Sequence, residues 1–249
     1  LDIKIFERTN KKVFVTESGK KILEKARRVL SEVNDLKQVA KNQQNPYCGE
    51  FHLGIIPTMG PYLLPKLMPM IQSEHPNLEL IPYEDKTEVI LDRLNNGELD
   101  AILLALPVDH GSLVEKKLFT EDFYAAVPPD NPLAKQAAVT LSDLESQKLL
   151  LLGEGHCFRD QALAACRYTG AQLKSGFQAT SLETLRYMVA AGAGVTLLPA
   201  MMVESLPDHP DVVILPFKGT APSRVVGLLW RQNSPATLVS QEISKLLHS

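Results

Sequence analysis

Short hydrophobic–polar alternation opens the chain. Ile3-Lys4-Ile5-Phe6-Glu7-Arg8 and Val13-Phe14-Val15-Thr16 flank the polar tip Thr9-Asn10-Lys11-Lys12, and two such runs around a turn predict a β-hairpin. A lone hairpin is too small to be stable, so it belongs to something larger. From Thr16, a capping threonine, to about Gln44 the period changes. Ile22, Ala26, Val29, Val33, Leu36 and Ala40 follow one another at intervals of 4, 3, 4, 3 and 4, the seam of a coiled coil, with Lys20, Lys21, Lys25, Arg27 and Arg28 outside it. A helix of about 28 residues spans roughly 42 Å. That is long for an ordinary core helix and implies a partner helix, most simply from a second copy; a helix lying on its own domain is the alternative. Asn42-Gln43-Gln44-Asn45-Pro46 reads as a linker with a helix-stopping proline.

From Glu50 onward strand and helix patterns alternate. Phe51–Ile56 predicts a strand, Pro57-Thr58-Met59-Gly60 a turn, and Pro61–Ser73 a helix; Leu78–Pro82 is a second strand, Thr87–Asn95 a helix, and Leu99–Leu106 a buried, nearly all-apolar strand. A second run begins with a strand at Glu121–Val127 and continues with strands at Leu149–Leu152, Phe177–Ala179 and Val195–Leu198. Val225–Trp230 and Ala236–Leu247 add a last strand and helix. Strands separated by helices imply βαβ units and a parallel sheet.

With 249 residues and 45% hydrophobic content, the chain can bury one or two sizeable cores without disulfides. No charged segment followed by an apolar stretch opens it, and no apolar run approaches the roughly 18 to 20 residues of a membrane span. The expectation is a soluble cytoplasmic protein with no membrane partner, in a reducing compartment where a disulfide is transient. The net charge of −3 is uneven: residues 1–45 carry 11 basic against 6 acidic side chains, a net +5, and the rest carry −8. Nucleic acid is expected at the basic end. His52, His75, His110, His209 and His248 lack metal-ligand spacing, and no phosphate-loop signature is present. No metal and no cofactor are expected.

The densest chemistry lies in Gly155-His156-Cys157-Phe158-Arg159-Asp160-Gln161-Ala162-Leu163-Ala164-Ala165-Cys166-Arg167, which holds two of the three cysteines; the third is Cys48. A thiol becomes a nucleophile where cations or a helix N-terminus favour the thiolate. Cys157 has candidates for both: His156 and Arg159 supply charge, and Gly153-Glu154-Gly155 ahead of a helix-forming run puts it near a helix start. Leu163, Ala164 and Ala165 read as the packed side of that helix, making Cys166 the quieter thiol. Nine residues of helix rise about 13.5 Å, whereas a disulfide needs Cα atoms roughly 4.4 to 6.8 Å apart. If both cysteines sit on one helix, joining them means unwinding it. The plain alternative is that both are small buried hydrophobes. Asp160 either pairs with Arg159 or caps the helix.

The run GHCFRDQALAAC resembles the sensing segment of the hydrogen-peroxide-responsive LysR-type transcriptional regulators, and the runs 54–65, 99–105 and 181–200 resemble the same family at matching intervals. The hairpin, with its LFERT-type strand and basic tip, resembles the wing of that family's winged helix-turn-helix domain.

The resemblance implies an α/β fold, a periplasmic-binding-protein-like two-lobed effector domain preceded by a long linker helix and the remnant of a winged-helix wing. The wing would be residues 1–15, the coiled-coil linker helix 16–45 and the redox-sensing regulatory domain 46–249, with lobe I at about 46–121 plus 225–249 and lobe II at about 122–224. The recognition helix that precedes a wing would be missing from the sequence. Arg8, Lys11 and Lys12 would contact DNA phosphates. Cys157 would be the peroxidatic and Cys166 the resolving thiol, assisted by His156 and Arg159. Thr58, Thr87, Arg224 and Asp160 would hold peroxide, although isolated threonines at helix starts are otherwise caps. The implied function is a transcriptional regulator, not a turnover enzyme, with hydrogen peroxide, promoter DNA, RNA polymerase and a glutaredoxin or other thiol reductant as partners, acting as a homodimer or homotetramer. A regulator answering a small metabolite in the interlobe cleft, a thiol peroxidase and a solute-binding protein are the rival readings.

Overall fold

The computed structural model describes residues 3–9, 12–42, 45–155, 157–167, 172–173, 179–206 and 211–248. The opening alternation forms a hairpin in which β1 (Phe6–Arg8) pairs antiparallel with β2 (Val13–Val15), Phe6 opposite Val15. Arg8 and Lys12 are exposed on it, and Lys11 lies outside the described residues. Thr16 ends the hairpin and starts the helix: its hydroxyl accepts the Gly19 N–H at 2.9 Å and donates to Lys4 O at 2.6 Å. Helix α1 (Glu17–Asn42) follows for 26 residues. Along its seam, Val29, Val33 and Leu36 are 63%, 43% and 70% exposed, an apolar stripe unmatched by this chain's own core.

The remaining elements are β3 (Gly49–Ile55), α2 (Gly60–Glu74), β4 (Leu78–Glu84), α3 (Thr87–Asn95), β5 (Ala101–Leu106), β6 (Val114–Val127), β7 (Lys148–Leu149), α4 (Cys157–Arg167), β8 (Gln172–Leu173), α5 (Leu182–Ala190), β9 (Thr196–Pro199), α6 (Ala200–Ser205), β10 (Val213–Leu215), β11 (Ser223–Trp230) and α7 (Thr237–Leu246). Among the described residues the main sheet has seven strands in the order β10-β6-β11-β5-β3-β4, with β9 also on β6. β4, β3 and β5 are parallel, as the βαβ pattern predicts. The others are not, which corrects the expectation of a parallel sheet. β11 comes back from lobe II and inserts antiparallel between β5 and β6, and alternation along a strand carries no information about the direction of its neighbour.

β6 also corrects the reading of a new strand at Glu121. It is a single strand of 14 residues. Its residues 114–122 pair with β11, and residues 123–127 pair with β9 on one edge and β10 on the other. The charged stretch Glu115-Lys116-Lys117 hid its first half from the hydrophobic pattern. Of the strand expected at Leu149–Leu152, only Leu149 lies in β7, and Leu152 forms a bridge to Ala179; residues 177 and 178 lie outside the described chain.

Two hydrophobic cores result. One packs Leu53, Ile55, Leu67, Ile90, Leu103 and Leu228 in lobe I; the other packs Phe123, Phe158, Ala162, Leu185 and Leu197 in lobe II, and Tyr62 touches both. No described helix is long and apolar enough to cross a membrane.

In the middle of β3, Asp100 Oδ2 accepts the His52 backbone N–H at 2.7 Å and lies 3.5 Å from His52 Nδ1. The side-chain bond to Asp100 raises the His52 pKa above its ordinary 6.5. The folded state thus favours imidazolium, a stabilisation fully present below about pH 6.5 and lost as pH rises through the raised value. With the side chain 38% exposed, the contribution is under about 1 kcal/mol. His52→Gln should therefore melt below the parent at about pH 5.5 and converge with it near pH 8 in paired thermal scans. A constant gap at both pH values would dismiss the ion pair.

Candidate functional site

The site is built at the carboxyl ends of β3 and β4. These strands pair in register with Ile55 opposite Glu84, and three residues beyond each partner stand Thr58 and Thr87. Thr58 is buried in the turn after β3; Thr87 heads α3, with Lys86 as its N-cap residue. Loops at strand ends that lead into helix N-termini are the usual ligand edge of such sheets. The two hydroxyls are incompletely used. Thr58 Oγ1 accepts from Arg224 Nη1 at 2.8 Å, which leaves its own O–H to donate. Thr87 Oγ1 is buried with no hydrogen-bond partner among the described residues. Gly60, at the head of α2, lacks a Cβ where one would collide with Glu84 Oε2, and burial raises the Glu84 carboxyl above its ordinary pKa.

Arg224 lies inside β11 rather than ahead of it, and its guanidinium spans the two lobes. Nε donates to Glu121 Oε2 at 2.6 Å, Nη1 to Thr58 Oγ1 and Nη2 to Thr58 O at 3.1 Å. Glu121 Oε1 in turn accepts the Met201 N–H at 2.8 Å, in the first turn of α6. The Arg224 and Glu121 side chains are 0% and 2% exposed. Fixed this way, Arg224 orients Thr58 from behind. Glu121 was invisible in the sequence, where it reads as one more acidic residue opening a strand. Arg224 Cζ also stands 5.8 Å from the centroid of the Phe158 ring, which meets Phe123 edge-on.

Phe158 leads to the thiol. Cys157 is the first residue of α4 and half-buried against the lobe I core, while Phe158 is buried in the lobe II core, so the helix begins at the junction. Ala162 and Leu163 bury the side predicted to pack. Arg159 Nη1 donates to Leu152 O at 3.0 Å, which turns its charge toward the preceding backbone, and Asp160 is exposed in the first turn. His156 and the Cys166 side chain lie outside the described residues, although α4 includes residue 166. Cys48, in the segment joining α1 to β3, donates its S–H to Asn45 O at 3.1 Å. A second tie to lobe I precedes Cys157: Lys86 Nζ donates to Glu154 O at 2.8 Å, and its stem lies against Gly155. Nothing in the sequence pointed to Lys86. Among the described residues no group of three or more His, Cys, Asp or Glu side chains could hold a metal ion.

The family model of the LysR substrate binding domain matches residues 44–249. The chain belongs to the LysR family. Within that family it is similar to the OxyR proteins. The DNA-binding transcriptional dual regulator OxyR of Escherichia coli K12 is 41% identical over 249 residues, all of this chain and 82% of that protein. Among solved structures, a full-length cysteine-to-aspartate OxyR from Pseudomonas aeruginosa superposes with a TM-score of 0.81 at 36% identity, covering 98% of this chain and 82% of that one. A hydrogen-peroxide-bound cysteine-to-serine OxyR of Corynebacterium glutamicum gives 0.79 at 31% identity, covering 99% and 78%. The reduced and oxidised forms of OxyR give 0.74 and 0.75 at 41% and 42% identity, each covering 82% of this chain and 96% of theirs. The two-lobed LysR fold expected from the sequence is thus the fold observed, and the relatives are LysR-family regulators rather than enzymes.

Proposed function

We propose that this chain is a hydrogen-peroxide-sensing transcriptional regulator switched by a reversible disulfide between Cys157 and Cys166. The observation that carries the reading is the position of Cys157: it heads a helix at the lobe junction, tied through Arg224–Phe158 and Lys86–Gly155 to an edge where Thr58 and Thr87 keep unspent hydrogen-bonding capacity. A small neutral molecule that both donates and accepts suits two such hydroxyls. The Cys157 thiolate attacks one peroxide oxygen, the O–O bond breaks, and the departing hydroxide takes a proton from His156, Thr58 or water, giving Cys157 sulfenic acid and water. The Cys166 thiol then attacks that sulfur, and a second water leaves as the disulfide forms.

With both cysteines on α4, about 13.5 Å of helical rise separates them, far beyond disulfide reach. The second step therefore unwinds α4. The repacked lobe changes the contacts between copies, which the exposed seam of α1 holds together over residues 16–45, and the basic hairpin of residues 1–15 with Arg8, Lys11 and Lys12 meets DNA phosphates. The regulatory domain spans 46–249. RNA polymerase is the partner in transcription, and a glutaredoxin or similar dithiol restores the reduced form.

The test is a stoichiometric pulse of hydrogen peroxide, read by intact mass, free-thiol count and peptide mapping on the parent, Cys157→Ser and Cys166→Ser. Loss of two thiols and a cross-linked peptide joining residues 157 and 166 in the parent, with no cross-link in either variant, is the expected result. Thiols that survive the pulse would overturn the sensor reading and favour a metabolite ligand in the cleft.

A further inference from the structure

Lys86 stands at the N-cap of α3 in lobe I, and its ammonium crosses the junction to Glu154 O at 2.8 Å. Its aliphatic stem occupies the space that a side chain at residue 155 would need: a Cβ on Gly155 would sit 3.0 Å from Lys86 Cδ and 3.4 Å from Nζ. Gly155 has φ of +84°, in the left-handed region that glycine enters without penalty. The lysine therefore lies flat on a glycine turn two residues ahead of the reactive thiol. Gly153 N–H is bonded to Ala179 O at 2.8 Å, inside lobe II. Between that bond and α4, the hydrogen bond from Lys86 is the one that anchors the segment to the rest of the chain among the described residues.

The first turns of α4 touch both cores. Phe158, Ala162 and Leu163 are buried in the lobe II core. Cys157 packs against the lobe I core, and its leading segment carries two glycines. If Cys157 is to reach Cys166, α4 unwinds from its first turn, and the leading segment is drawn off lobe I with it. The carbonyl that Lys86 holds belongs to that segment.

We propose that Lys86 is a positioning residue that sets the redox poise of the Cys157–Cys166 pair, acting as a latch made in the dithiol state and broken in the disulfide state. This rests on the disulfide switch proposed above. An interaction present only in the dithiol form stabilises that form, so removing the latch makes the disulfide easier to form. The equilibrium to measure is balanced: the two protein thiols and oxidised glutathione give the protein disulfide and two reduced glutathiones, two electrons passing from protein to glutathione.

The experiment equilibrates the full chain with glutathione buffers of graded ratio and quantifies the disulfide by alkylation and mass, for the parent, Lys86→Met and Lys86→Arg. Methionine keeps the apolar stem over Gly155 and loses the donor; arginine keeps a donor. A side-chain bond this exposed is worth a few-fold in equilibrium. Lys86→Met is expected to raise the equilibrium constant for disulfide formation about fivefold, a potential about 20 mV more negative for a two-electron couple, and to lower the melting temperature of the dithiol form by no more than about 2–4 °C, since the same bond stabilises that form. Lys86→Arg is expected to return most of the way to the parent. A parent that cross-links normally while Lys86→Met shares its midpoint would overturn the latch and leave the switch standing. A parent that never forms the disulfide would overturn both.

Discussion

Replacing Arg224 by methionine is expected to cost about 3–5 kcal/mol, because it leaves the Glu121 carboxylate buried without its partner charge. For a chain of this size that lowers the melting temperature by roughly 6–20 °C. The loss comes from the orphaned charge more than from the missing attraction. Two buried ions recover their desolvation only while they are together, so Arg224→Met combined with Glu121→Gln should regain a large part of the stability. Glutamine keeps an oxygen for the Met201 N–H and carries no charge. Thermal melts of the parent, the single and the double variant decide it. A double variant no better than the single would mean that the guanidinium's bonds to Thr58, not the pairing with Glu121, carry the energy.

Thr87→Val should move stability and reactivity in opposite directions. The Thr87 hydroxyl is buried and has no hydrogen-bond partner among the described residues, and a buried polar group without a hydrogen bond carries a desolvation penalty of about 1–3 kcal/mol. Valine has nearly the same shape and removes that penalty, so the variant is expected to gain about 1 kcal/mol and melt about 2–4 °C higher. If peroxide uses this hydroxyl as it reacts, the same variant loses a hydrogen bond in the transition state. The rate of Cys157 oxidation, followed by rapid-mixing thiol loss, should then fall about ten- to a hundredfold, the rate equivalent of roughly 1.4–2.8 kcal/mol. Thr87→Ser keeps the hydroxyl and should react nearly as the parent does. A Thr87→Val protein that is less stable and reacts at the parental rate would show that the hydroxyl serves the fold instead.

Local features were legible in the sequence, and contacts across the chain were not. The periodicity of Thr87–Asn95 gives the observed α3 at both ends, and the glycine pair ahead of Cys157 marks a helix start that the structure places at that residue. The exposed seam of α1 follows from intervals of three and four along one helix. By contrast, Arg224 meets Glu121 across 103 residues of chain and Lys86 meets Glu154 across 68. No pattern within either segment encodes such pairs, since each of these residues is locally an unremarkable charge in a strand or at a helix start. β10 and α6 were missed because they are three and six residues long, shorter than a period needs to declare itself. The position of β11 between β5 and β6 depends on the whole sheet, which a reading of one strand at a time does not contain.

β6 runs unbroken from one lobe into the other, and that limits how the molecule moves. A bilobed receptor that clamps shut on its ligand needs a few pliable residues to absorb the rotation, and a hydrogen-bonded strand offers few. Here the crossover through residues 119–123 is laddered to β11 and then to β9, with the Arg224–Glu121 pair bolted across it. The two halves therefore form one stiff chassis. In the switch proposed above, such a frame would leave a short rebuilt segment at the junction, not the frame itself, to carry a signal to the surface.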